Sequence, residues 1–135
     1  MVMISTKGRY ALRIMIDLAE NGGTGRYISM KSIAERQGIS LKYIEKILPF
    51  LVSQKLIEGV RGKSGGYKLT KQPEDYTILE ILRIAEGDIA PVACLECNAE
   101  PCSHSDECRT LPMWKELDGL INGYLSSVHL SDLMR

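Results

Sequence analysis

Apolar side chains at Ala11, Ile14, Met15, Leu18 and Ala19 follow the i, i+3, i+4, i+7, i+8 spacing of one buried helix face. Ser5 and Thr6 are capping types in front of them, and Asn21-Gly22-Gly23 stops the pattern. Ser29 caps a second, short helix containing Met30, Ile33 and Ala34, and Gly38 interrupts it. Ser40 caps a third, whose stripe is Ile44, Ile47, Leu48, Leu51 and Val52. Pro49 falls inside that stripe and is expected to kink the helix or start a new turn, because it removes an i→i−4 bond.

The period then changes. Residues 56–61 and 66–70 read as two short strands, joined by Gly62-Lys63-Ser64-Gly65-Gly66. After the break at Gln72-Pro73, Thr77-Ile78-Leu79-Glu80 has the form of a capping box. The helix it opens carries Ile78, Leu79, Leu82 and Ile84 and ends at Gly87. Residues 89–110 have no period and read as a loop, an uncommon length in a compact domain unless it is functional or disordered. The last helix spans 111–128, with Trp114, Leu117, Ile121, Tyr124, Leu125 and Val128 on one stripe near heptad spacing. The fold class this predicts is mainly α with a small β wing, a winged helix-turn-helix plus a long C-terminal helix.

Composition adds little until it is divided. The 135 residues are 44% hydrophobic and 25% charged, which is ordinary for a globular chain. Formal net charge is zero, yet residues 1–72 hold 13 Lys/Arg against 5 Asp/Glu, and residues 73–135 hold 4 against 12. A basic half joined to an acidic half points to nucleic acid. The chain is accordingly divided into a DNA-binding domain, 1–72, and an acidic region, 73–135, that contains the cysteine loop and the last helix. No uncharged run is long enough to span a bilayer, and no secretory signal is recognisable, so the cytoplasm is the expected compartment.

Residues 30–52 fit a helix-turn-helix. Ala34 is small where the helices cross, Gly38 permits the tight turn, and Ile44 and Ile47 fill the core. The outward face then carries Ser40, Lys42, Tyr43, Glu45 and Lys46, groups able to reach phosphates and base edges, with Glu45 able to accept from cytosine N4. Ser29, at the start of the preceding helix, joins them as a candidate contact. In the hairpin, Arg61 and Lys63 supply charge, Gly65 and Gly66 let the backbone lie close to a phosphate chain, and an arginine at a wing tip fits a narrow minor groove. The first helix presents Thr6, Lys7, Arg9 and Tyr10 beside its free N–H groups, a ready phosphate site. Gly8, a poor helix former there, implies that a backbone or partner approaches closely.

All four cysteines lie in the acidic half, as Cys94-x2-Cys97-x4-Cys102-x5-Cys108, with His104 nearby. Thiolates at this density suit iron–sulfur or zinc, and a thiol redox switch or no cofactor stays open. Acidic neighbours Glu96, Glu100, Asp106 and Glu107 are expected to raise the thiol pKa values. Nothing points to an enzyme. There is no phosphate-cradling glycine loop and no HExxH pair, and His104 and His129 lack a nucleophile partner.

The segments STKGRYAL (5–12), AERQGISLKY (34–43), RGKSGGY (61–67) and CRTLPMW (108–114) together resemble the Rrf-two family of bacterial winged-helix transcriptional regulators. The likeness runs over nearly the whole chain. It implies a homodimeric repressor on double-stranded DNA at palindromic promoter sites, with 73–135 as a dimerisation region whose long C-terminal dimerisation helix, 111–128, cross-packs between subunits, and a wing arginine at Arg61 entering the minor groove. Its cluster-binding branch holds a 2Fe–2S or 4Fe–4S iron–sulfur cluster through three cysteines, which match Cys94, Cys102 and Cys108. Another branch is governed by thiols or by a regulatory protein partner. Three departures stand out: Cys97 is an extra thiol, the gap from Cys94 to Cys102 is longer, and Leu111 stands where a fourth, histidine ligand is found. The fourth ligand is therefore Cys97, His104 or a residue from the other subunit.

Overall fold

The computed structural model describes residues 4–62, 65–95 and 107–135. Five helices are present: α1 (Thr6–Asn21), α2 (Met30–Gln37), α3 (Leu41–Ser53), α4 (Ile78–Glu86) and α5 (Leu111–Ser127). Strands β1 (Ile57–Val60) and β2 (Gly66–Leu69) form one antiparallel hairpin in the register Ile57↔Leu69 to Val60↔Gly66. Each of the first four helices starts on a hydroxyl cap: Ser5, Ser29, Ser40 and Thr77 each accept from a backbone N–H three residues on.

Two sequence expectations change in detail. α3 runs through Pro49 to Ser53 as one helix. Pro49 and Glu45 both face outward, so water can solvate the Glu45 carbonyl that Pro49 leaves without a donor, while Ile47, Leu48 and Leu51 hold the buried side. The capping box at Thr77 is half formed: Thr77 accepts from the Glu80 N–H, but the Glu80 carboxylate turns to Lys71 Nζ at 2.9 Å.

One apolar core joins the helix-turn-helix, the hairpin and α4. It contains Ile14, Met15, Leu18, Ile33, Ile44, Leu48, Leu51, Ile57 and Leu69, and beyond residue 72 also Tyr76, Ile81, Ala85 and Leu130. Tyr76 is fully buried and its hydroxyl is fully used, donating to the Leu56 carbonyl at 2.6 Å and accepting from the Thr70 and Lys71 N–H groups. After α5 the chain turns back. Ile78 N–H donates to the Val128 carbonyl, Leu130 N–H to the Tyr76 carbonyl, and Leu130 enters the core.

The α5 stripe divides in two. Ile121, Leu125 and Val128 pack on a second cluster of Ile78, Leu82 and Ile89. Met113, Leu117, Leu120 and Tyr124 stay exposed, and no α5 residue is buried. One residue step turns a helix by about 100°, so two stripes offset by one position read as a single broad one in the sequence.

Gly8 has an internal explanation. A Cβ there would collide with the Glu86 carboxylate, which reaches from the end of α4 to the start of α1. Glu86 accepts from the Ser5 N–H at 3.1 Å and from the Ser5 hydroxyl at 2.5 Å. The contact is the far end of a side chain, so Gly8→Ala is expected to displace the Glu86 carboxylate from Ser5 and thereby lose most of the roughly 1 kcal/mol that alanine otherwise gains over glycine in a helix, a gain that returns when Glu86→Ala is made in the same chain. Urea unfolding of the two single variants and the double variant measures both effects. The same gain from Gly8→Ala in the presence and absence of the Glu86 side chain would refute the close approach.

Candidate nucleic-acid interface and thiol segment

The turn between α2 and α3 is held from α1. Asp17 is 1% exposed, yet its carboxylate is satisfied by Arg36 Nη2 at 2.8 Å, Arg36 Nε at 3.0 Å and Gln37 Nε2 at 2.9 Å. The Asp17 hydrogen bond holds the Arg36 guanidinium above its ordinary pKa, so the guanidinium stays charged. Arg13 adds bonds to the Gln37 carbonyl and side chain. Gly38 follows at φ 63, the left-handed conformation that closes α2, and Ser40 opens α3.

From that start, α3 buries Ile44, Ile47, Leu48 and Leu51 and leaves Lys42, Glu45 and Lys46 exposed. Tyr43 is half-buried, its ring edge-on to Tyr10 of α1 at 5.2 Å. Burial, then the nearby Tyr10 and Glu86, push its phenol above the usual pKa, which keeps it a neutral donor. The Ser40 and Ser29 hydroxyls both accept backbone N–H groups as caps, and Ser29 also donates to Ser32 Oγ at 2.8 Å.

At the start of α1, Lys7 Nζ sits 3.6 Å from the centre of the Phe50 ring on α3. Lys7, Tyr43, Lys46, Ile47 and Phe50 line a cleft of about 230 Å³. Thr6 and Arg9 are exposed, with Arg9 Nη2 donating to Thr6 Oγ1 at 3.4 Å. The anion at this helix end, however, comes from within the chain. The Ser5 N–H and hydroxyl are already given to Glu86, so outward contacts fall to Thr6, Lys7 and Arg9.

In the wing, Arg61 is exposed, and Lys63 lies outside the described residues. Gly65 and Gly66 serve the hairpin itself. A Cβ on Gly65 would strike the Val60 carbonyl, and one on buried Gly66 would strike the Ile28 backbone, where Ile28 and Tyr67 exchange two 2.8 Å hydrogen bonds. Sequence reasoning missed Arg26. With Ser29, Ser32, Arg36 and Gly65 it lines a polar cleft of about 300 Å³ between α2 and the wing. Its signal was a lone cation between the α1 stop and the Ser29 cap.

Among the described cysteines, Cys94 is exposed and Cys108 half-buried, and both are free. Cys97, Cys102 and His104 lie outside the described residues, and within those described no three ligating side chains converge. Two accessible, unbridged thiols at the ends of the segment fit thiolate ligation of a cluster. The expected upward shift of the thiols is reversed at Cys108: the Thr110 hydroxyl, then the Thr110 and Leu111 N–H groups at the start of α5, hold this thiol below its ordinary range. Among the described residues, no helix is long and apolar enough to cross a membrane.

The profile of the Rrf2 family, described as "Iron-dependent Transcriptional regulator", matches residues 4–135. The HTH-type transcriptional regulator IscR of Photorhabdus laumondii is 34% identical over 131 residues, covering 97% of this chain and 78% of that protein. The structure of CymR, the global cysteine regulator of B. subtilis, superposes with a TM-score of 0.75 at 37% identity, covering 98% of this chain and 96% of that one. The oxidized form of Staphylococcus aureus CymR gives 0.68 at 34% identity, covering 96% and 94%. With a winged helix-turn-helix, a long C-terminal helix and a family match across nearly its whole length, the chain belongs to the Rrf2 family of transcriptional regulators.

Proposed function

We propose that the chain is a homodimeric repressor that binds palindromic, double-stranded promoter DNA, with an iron–sulfur cluster in segment 89–110 setting its affinity. The observation that carries the DNA reading is the division of α3: its apolar side is buried, and Lys42, Glu45 and Lys46 face solvent. A helix of this kind suits the major groove, with Arg61 in the neighbouring minor groove and Lys7 and Arg9 on phosphates. Residues 1–72 would do this work, and residues 73–135 would pair the subunits and carry the thiols.

Support for a dimer comes from α5. Met113, Leu117, Leu120 and Tyr124 are exposed at alternating steps of four and three, the seam of a coiled coil. A second copy of α5 would cover it and present two heads to half-sites roughly 34–36 Å apart. Cys94, Cys102 and Cys108 would hold the cluster, which when bound supplies a redox-active iron centre. The segment begins just after Glu86, whose bonds to Ser5 give its ordering a route to α1 and, through Tyr10, to Tyr43 of α3. Ligation would thereby shift the population of head positions.

A second reading keeps the DNA site and replaces the cluster by thiol oxidation or a regulatory protein partner. The likeness to CymR of Staphylococcus aureus, whose structure is known in an oxidized form, favours it.

Three outcomes follow. Lys42→Ala, Lys46→Ala and Arg61→Ala together are expected to weaken operator binding and flatten the log Kd against log salt slope by about one for each phosphate that no longer has a cation beside it. Fluorescence anisotropy over a salt series reads both, and an unchanged slope and Kd reject this docking mode. Leu120→Glu with Tyr124→Glu should give monomers in analytical ultracentrifugation and cost about 100-fold on a two-half-site operator through lost avidity; dimers of unchanged affinity would move the interface elsewhere. Anaerobic reconstitution with iron and sulfide should give visible charge-transfer absorbance that the triple Cys94→Ser, Cys102→Ser, Cys108→Ser variant lacks. A colourless product retires the cluster and leaves the thiol reading, for which mass spectrometry would find a Cys94–Cys97 or Cys94–Cys102 disulfide after mild oxidation.

A further inference from the structure

Among the described residues up to 72, two large apolar side chains are exposed: Leu41, at 45%, and Val60, at 49%. Neither belongs to an apolar cluster of the fold. The other exposed apolar residues, Met113, Leu117, Leu120, Tyr124 and Leu133, lie on α5 and the tail. Leu41 is the first residue of α3, directly after the Ser40 cap, and shares its helix face with exposed Glu45 four positions on. Its immediate neighbours Ser40 and Lys42 are polar and exposed. The first turn of a recognition helix is the part that meets base edges. Thymine alone offers an apolar group there, its C5-methyl, and only in the major groove.

We infer that Leu41 is a specificity-determining residue that reads a thymine C5-methyl in each half-site. The inference rests on the proposed docking of α3 in the major groove and names what that helix recognises. An apolar side chain covers the methyl and both leave water; the gain is hydrophobic and is absent for cytosine, adenine or guanine at that position. Val60 supplies an internal contrast. It adjoins Arg61 in the wing, and a minor-groove edge shows no methyl to discriminate.

The test uses the full chain and an operator obtained by selection from random duplexes. Each thymine of the half-site is replaced singly by deoxyuridine, which removes the methyl and leaves the base pair intact. Kd is read by anisotropy at one salt concentration. One position is expected to weaken binding about fourfold per half-site, the factor for one methyl left in water. Leu41→Ala is expected to bind the thymine and uracil operators equally at that position, with its salt slope unchanged. Val60→Ala is expected to keep the parent's thymine preference. A parent chain indifferent to every replacement overturns the inference, as does a Leu41→Ala chain that retains the preference, or a half-site without thymine. In these cases sequence-selective binding survives, so the docking reading stands. Failure to select any sequence over bulk DNA instead removes the docking reading and this inference with it.

Discussion

A buried carboxylate fixes where the outward helix begins. Asp17 sits in the interior of the α1 face, where an unpaired charge would be costly, and the end of α2 closes on it with Arg36 and Gln37. Gly38 follows immediately, and the next elements are the Ser40 cap and α3. The end of α2, and with it the turn into α3, is therefore held by directional hydrogen bonds as well as by apolar packing. Desolvation of the carboxylate offsets much of the attraction, so the pair adds little net stability, whereas removal of Arg36 would leave Asp17 buried without its counter-charge. Docked in a groove as proposed, α3 would take its position from this anchored turn.

The opposite charges of the two halves have an internal use as well as an external one. The acidic half sends Glu86 to the start of α1 and Glu80 to Lys71, so two of its carboxylates stitch it to the basic half. Glu86 also meets the favourable end of the α1 dipole. Leu130, returning after α5, closes the same connection with apolar burial. The result is a head to which both ends of the thiol-bearing half are tied. A change of order in that half has physical contacts through which to act on α1 and α3.

Cations that remain outward do so because the interior has no use for them. Lys42 and Lys46 face solvent, and Lys7 is steadied by the Phe50 ring. By contrast, Arg36, its side chain still 40% exposed, gives its guanidinium to Asp17, and Gly65 and Gly66 are required by the packing of the hairpin on Val60 and Ile28. Glycines and cations with the same apparent role in the sequence thus divide between internal and external duty, and only the neighbours across the fold tell them apart.

By itself the sequence determined the helices, their caps, the hairpin, the exposed face of α3 and the family, because these follow from local spacing and short motifs: Ser5, Ser29, Ser40 and Thr77 cap where a hydroxyl precedes an apolar period. Tertiary structure decided the rest. That Gly8 makes room for Glu86, that Asp17 clamps Arg36, and that the α5 stripe divides into a packed and a bare face are all outcomes of proximity. Residues such as Ser5 and Glu86, 81 positions apart, meet through folding, and no periodicity along the chain encodes that distance.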